Sequence, residues 1–117
     1  MVLVVEDDED VRDSIFDALT RKGYQVAVAE NGQEALAVLA GRPHPCVVLL
    51  DLVMPVMDGW QFLSSVQLDP VLARIPVVVV SAHASTHPPA GTSQLLRKPF
   101  DFHDLFQAVE RHCGPPA

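Results

Sequence analysis

The chain is short of basic charge, of cysteine and of long apolar runs. Eight Lys and Arg stand against 15 Asp and Glu, a formal net charge of −7. No basic face is therefore available to follow a phosphate backbone, which argues against nucleic acid as a direct partner. No apolar stretch approaches the ~20 residues a membrane span needs. The opening "MVLVVEDDED" passes from Met through a short apolar stretch into acids, with no basic region and no cleavage pattern. The expectation is a soluble cytoplasmic domain that touches no membrane. Two cysteines, Cys46 and Cys113, are too few for a disulfide scaffold and lack metal-ligand spacing. They read as small buried or helix-end residues, as suits a reducing compartment.

What is present is apolar side chain in quantity. At 117 residues and 49% apolar composition, one domain over 1–117 can cover both faces of a sheet, whereas two domains would each be too small. Short aliphatic runs recur: "VLVV" (2–5), "YQVAVA" (24–29), "CVVLL" (46–50), "PVVVV" (76–80) and a weaker "QLL" (94–96). The first, third and fourth lack in/out alternation, as parallel strands covered on both faces do. Between the runs, Val11, Ile15, Phe16 and Leu19 share one helical stripe, and Phe102, Leu105, Phe106 and Val109 share another. Asn31 with Glu34, and Asp58 with Gln61, have capping-box spacing; Gly41 and Asp69-Pro70 supply the stops. Asp101 opens the last helix. Residues 83–93, "HASTHPPAGTS", carry two prolines and no apolar stripe, so a loop or at most one turn is expected where the alternation asks for a helix. With right-handed crossovers, this alternation gives an α/β fold, a doubly wound parallel sheet of five strands.

Ligands of such sheets sit beyond the carboxyl ends of the strands. Glu6, Asp7 and Asp8 follow the first run, Asp51 the third, Ser81 the fourth, and Lys98 comes shortly after the fifth. Clustered carboxylates raise one another's pKa unless a cation joins them. Mg2+ suits the set: it takes one or two carboxylates, keeps waters and is completed by phosphate oxygens, whereas Ca2+ asks for a fuller oxygen cage. With a Lys and a hydroxyl added, the set becomes a receptor for a phosphoryl group, one carboxylate being the nucleophile.

Over essentially its whole length, from "VLVVEDDED" through "VVLLDLVMPVMDGW" and "IPVVVVSAHA" to "LLRKPF", the chain resembles a response-regulator receiver domain of two-component signalling. The resemblance implies a flavodoxin-like fold with strand order 2-1-3-4-5. It implies that Asp51 is the phosphoacceptor and that Glu6 and Asp7 are the acidic pair, with Asp8 one position beyond it. Asp7 and Asp51 would ligate Mg2+ directly with the main-chain carbonyl of Val53, and Glu6 through water. Ser81 and Lys98 would meet the phosphoryl oxygens, Pro55 and Gly59 shape the loop after the acceptor, and Lys98-Pro99 corresponds to a step often cis in relatives. The implied partners are a sensor histidine kinase or histidine phosphotransfer protein and a downstream protein, and the domain is no enzyme beyond assisting its own modification.

Two departures stand out. Leu95 occupies the position usually held by an aromatic, three before the Lys, and the fourth helix is shortened or absent; the expected output is an ordering of the 83–93 loop in place of a ring flip. Val53 and His83 fall where relatives tune water attack on the acyl phosphate. Three other functions compete. A pseudo-receiver, a non-phosphorylated interaction module, is raised by Leu95 and lowered by the complete acid, hydroxyl and Lys set. A haloacid-dehalogenase-like phosphatase would need an acid at Val53, and a flavin site would need a hydroxyl- and glycine-rich loop where "EDDED" stands. With "GPPA" closing the chain, both a stand-alone receiver and a piece of a larger regulator or hybrid kinase are left open. His87, His103 and His112 read as surface residues, and Trp60 packs near the start of the third helix.

Overall fold

The computed structural model describes residues 1–82 and 89–116. Five parallel strands, β1 (Val2–Val5), β2 (Val26–Ala29), β3 (Val47–Leu50), β4 (Val77–Ser81) and β5 (Gln94–Arg97), lie in the order β2-β1-β3-β4-β5. The register is continuous across the centre: Val5 pairs with Ala29 on one side and Leu50 on the other. Leu50 in turn pairs with Val79. Among the described residues four α-helices cover the sheet: α1 (Glu9–Lys22), α2 (Gly32–Leu39), α3 (Gly59–Gln67) and α4 (Phe102–Cys113).

The unbroken aliphatic runs are buried because each serves two cores. Val2, Val4, Val47, Leu49, Val78 and Val80 pack with Ile15 and Leu19 of α1 and Leu105 and Val109 of α4. Leu3, Val5, Val48, Leu50, Val77 and Val79 face the other way, onto Leu39 of α2 and Phe62 and Val66 of α3. Successive side chains of a strand point to opposite faces, so a strand covered on both sides needs an apolar residue at every position.

Helix ends obey the signals in the chain. Asp8 caps α1, accepting from the backbone N–H of Asp10 (3.0 Å) and Val11 (3.2 Å), and Gly23 ends it in a left-handed turn at φ 105°. The Asp58/Gln61 capping box of α3 forms in both directions. In the Asn31/Glu34 pair, Asn31 accepts from Glu34 N–H, while the Glu34 carboxylate reaches the N–H of Glu30 instead of that of Asn31. Asp101 caps α4.

Several expectations need correcting. The second run becomes a strand only from Val26, because Tyr24 and Gln25 belong to the connection that follows the Gly23 turn; Tyr24 Oη donates to Gly114 O at 2.8 Å. A 3-10 turn at Leu72–Arg74, held by Asp69 Oδ1 accepting from Val71 N–H, was not anticipated. Ser81 is the last residue of β4, not the first beyond it, since its ladder with Arg97 persists. Between β4 and β5, the described residues 89–93 hold no helix; positions 83–88 of the expected loop, His83 and His87 among them, lie outside the described residues. His112 is not a plain surface residue: its Nε2 is enclosed and has no hydrogen-bond partner among the described residues.

The largest correction concerns cysteine. Cys46 and Cys113, 67 positions apart in sequence, are joined as a disulfide with Cα atoms 5.3 Å apart. Helices of a βα fold run antiparallel to its strands, so the residue before β3 and the last residue of α4 meet at the same end of the sheet. The reading of the two cysteines as separate buried or helix-end residues therefore fails, and their number no longer argues for any redox compartment.

Candidate functional site

The chain crosses from strand to loop at Glu6 and Asp51, side by side on neighbouring central strands. Glu6 N–H donates to Ala29 O at 3.0 Å and Asp51 N–H to Val5 O at 2.9 Å, so the ladder carries each backbone one residue past its strand. Their side chains emerge together where the apolar core ends. Glu6, Asp7 and Asp51 each offer a carboxylate oxygen within 4.8 Å of the others. Glu6 and Asp51 are buried, at 2% and 7% exposure, while Asp7 opens to solvent.

Lys98 enters from the loop after β5. Its N–H donates to Ser81 O at 2.9 Å, which fixes the backbone. Its Nζ donates to Glu6 Oε2 at 2.6 Å and stands 3.8 Å from Asp51 Oδ1. The Lys98-Pro99 bond is cis, as is Arg42-Pro43. Ser81 is fully buried at the same edge of the sheet, and Val53 is about half exposed in the loop beyond Asp51.

The electrostatics follow from burial. Desolvation pushes the Glu6 carboxyl above its ordinary value; the Lys98 hydrogen bond works against this and the Asp51 charge adds to it. Asp51 is pushed up likewise, first by burial, with Lys98 and the Glu6 contact opposing and Asp7 reinforcing. One ammonium does not compensate the set. Oxygen donors alone, close together and open to water at Asp7, match a hard divalent cation that keeps part of its hydration shell. The chain can thus hold such an ion with Glu6, Asp7 and Asp51.

The flanking loop is held tightly. Gly59 N–H donates to Leu52 O at 2.8 Å, and a Cβ at Gly59 would lie 2.7 Å from Leu52 Cα and 2.8 Å from Asp51 O. Only glycine allows α3 to begin this close to the acid. Val56, in the same loop, is a β-branched residue at φ 66°.

One residue escaped the sequence reading. Arg12 Nη1 donates to Glu6 O at 3.1 Å, reaching Asp7 O at 3.5 Å, and its Nη2 pairs with Glu30 at 3.6 Å. It ties the acidic turn to α1. Its place in the first turn of a helix that starts at the acids was the available signal. Asp8, the third acid of the run, is spent on the helix cap and stands apart from the cluster for that reason.

The response-regulator receiver domain family matches residues 2–110. The chain belongs to this family. A 14.6 kDa protein of Leptolyngbya boryana from the sodA1 3′ region is 33% identical over 117 residues, covering 96% of this chain and 88% of its own. The response regulator MprA of Mycobacterium sp. strain KMS is 36% identical over 122 residues, covering 97% of this chain. The receiver spans only 52% of MprA's length. Among solved structures, the receiver domain of the Francisella response regulator 1452 superposes with a TM-score of 0.85 at 29% identity, over 94% of this chain and 93% of that one. The expected five-stranded, flavodoxin-like architecture is the one found. Receiver domains are signalling domains, and in this one Glu6, Asp7, Asp51, Ser81 and Lys98 lie at one edge of the sheet. No described helix is long and apolar enough to cross a membrane.

Proposed function

We propose that this receiver, read as one domain over 1–117, is a phosphoryl-accepting switch in the cytoplasm. On this reading Asp51 takes a phosphoryl group from the phosphohistidine of a sensor histidine kinase or histidine phosphotransfer protein. The observation that carries the reading is the meeting of Glu6, Asp7 and Asp51 within 4.8 Å, with Lys98 Nζ 2.6 Å from Glu6 Oε2 and 3.8 Å from Asp51 Oδ1.

Asp51 is the nucleophile. A carboxylate oxygen bonds to phosphorus as the P–N bond to the donor imidazole breaks, and the imidazole nitrogen retains the bonding pair and takes up a proton. Burial prepares the carboxylate for this, since a poorly hydrated anion has less water to shed. Asp7 and Asp51, with the carbonyl of Val53, are the proposed direct Mg2+ ligands, and Glu6 the ligand through water. Mg2+, when bound, would neutralise charge shared by these acids and the incoming phosphoryl oxygens. Lys98 would then turn from Glu6 toward the new anion, with Ser81 donating a hydrogen bond to it. Those movements alter the β4–β5 edge, the surface offered to a downstream protein.

Leu95 at the aromatic position favours a second reading, a pseudo-receiver that binds partners without phosphorylation. Intact mass after incubation with Mg2+ and acetyl phosphate separates the two. A labile phosphoryl adduct on the wild type and none on Asp51→Asn supports the switch. No adduct, together with no Mg2+-dependent beryllofluoride binding, supports the pseudo-receiver.

A further inference from the structure

The second constellation of reactive side chains lies at the opposite end of the sheet from the acids. Cys46 and Cys113 are both half-buried, and together with Tyr24, Gln25 and Pro115 they line a cleft of about 300 Å³. That volume sits at the small end of those that hold organic ligands. A bridge shut inside a core is beyond the reach of thiols; this one faces an opening.

We propose that Cys46 and Cys113 form a reversible thiol–disulfide exchange site. Its substrate class is a low-molecular-weight thiol or disulfide of the glutathione type, and its state sets how firmly the last turn of α4 is held. In the oxidising direction, the thiolate of one cysteine attacks an external disulfide RSSR, giving a mixed disulfide and releasing RS−. The second thiolate displaces the remaining RS−, so the bridge forms as one external disulfide becomes two thiols. Two electrons pass from the cysteines to RSSR, and the two cysteine protons end on the released thiols. Reduction by two RSH runs the same steps backward.

The two sulfurs are not equally anchored. Cys46 N–H donates to Met1 O at 2.9 Å beside β3, so its backbone is pinned to the sheet. Cys113 ends a helix, and beyond the bridge its turn is held by the Tyr24 Oη to Gly114 O hydrogen bond, by exposed Arg111 donating to Gln94 Oε1 at 3.2 Å, by Gly114 N–H donating to Glu110 O and by packing at the margin of the α1/α4 core. Opening the bridge should therefore loosen the helix end and leave the strand in place. The cysteines only flank the α1/α4 core and belong to the fully buried set of neither core, so the reduced protein should stay folded. The acids lie across the full length of β3, and the proposal does not depend on their function.

The test equilibrates the full chain in mixtures of reduced and oxidised glutathione without denaturant, counts free thiols by alkylation and mass, and follows amide exchange. Expected is interconversion between no free thiols and two, with an unchanged far-ultraviolet circular dichroism spectrum. Amides of residues 111–114 should exchange at least about tenfold faster in the reduced form. Cys46→Ser should match the reduced protein in either mixture. A bridge that opens only in urea, thiols that stay free in excess oxidised glutathione, or equal exchange in the two states would each overturn the proposal. Redox-dependent exchange persisting in Cys46→Ser would overturn its assignment to this pair.

Discussion

Lys98 Nζ lies 2.6 Å from Glu6 Oε2 and 3.8 Å from Asp51 Oδ1, so in this state the ammonium is paired with the carboxylate that is not the proposed acceptor. Removing it strands a buried acid. Lys98→Ala should cost about 1–3 kcal/mol at neutral pH, the penalty for a buried charged group left without its partner. At pH 5 the cost should shrink, because Glu6 and Asp51, already pushed upward by burial, can take protons instead. Urea unfolding at pH 5 and 7.5 reads the difference, and equal costs at the two values would count against the pairing. Under the proposed function, the variant should still accept some phosphoryl group while its conformational response to beryllofluoride is blunted.

The raised carboxyls also set the pH dependence of the metal-free protein. With folded-state pKa values above the ordinary 4.5 of Glu6 and 3.8 of Asp51, the native state holds protons that the unfolded chain has released. Their stabilising contribution is complete below those ordinary values and is lost as pH rises through the raised ones. Wild type should therefore lose stability from pH 4, near the ordinary values where the loss begins, to pH 8, relative to a Glu6→Gln/Asp51→Asn double variant. Under the proposed function, saturating Mg2+ should bind the ionised acids and recover that loss in wild type alone. Thermal melts at both pH values, with and without Mg2+, check this; parallel curves for the two proteins would contradict it.

The central strands were legible because a run such as Val47 to Leu50, apolar at every position, fits only a strand with a core on each side. The acids were legible because Glu6 and Asp51 each end such a run, and parallel strands put those ends together. Asp8 could not be sorted from Asp7 by residue type; the helix that starts at Glu9 is what turns it into a cap. Arg12 was missed because it acts on the main-chain carbonyl of Glu6, and a contact of that kind leaves no pattern in side-chain spacing. The disulfide escaped since counting cysteines looks for local spacing, while this pair is joined by topology across 67 positions. The edge strand β5 is the weakest signal, its Gln94 and Leu95 only half-buried.

Gly59 couples the start of α3 to the backbone of Asp51. A methyl group there would press on Leu52 Cα and Asp51 O at 2.7 and 2.8 Å, and backbone atoms cannot swing aside as a flexible side chain would. Gly59→Ala should destabilise by about 1–3 kcal/mol through overpacking. It should also weaken Mg2+ binding more than a distant substitution of equal cost, because the displaced segment carries the acid. Calorimetric Mg2+ titration of Gly59→Ala beside a core variant of matched stability makes the comparison. Equal Mg2+ affinities would separate Gly59 from the site.

Val56 presents the opposite case, a residue whose replacement should stabilise. It sits at φ 66° in a γ-turn closed by Met57 N–H donating to Pro55 O at 2.7 Å, with a β-branched side chain that is 74% exposed and contributes little burial in return. That turn is strained for any residue bearing a Cβ, by roughly 1–3 kcal/mol, and glycine escapes most of the cost. Glycine returns part of the gain as extra freedom in the unfolded chain. Val56→Gly should therefore raise stability by about 1 kcal/mol, measured by urea unfolding with an unchanged slope, and Val56→Ala, which keeps the Cβ, should gain less. The turn lies between Pro55 and the capped start of α3, and Val56 contributes no group to the acid cluster. Mg2+ affinity should then stay at the wild-type value in both variants, and a change in it would mean that the strained turn helps to hold the acid site in shape.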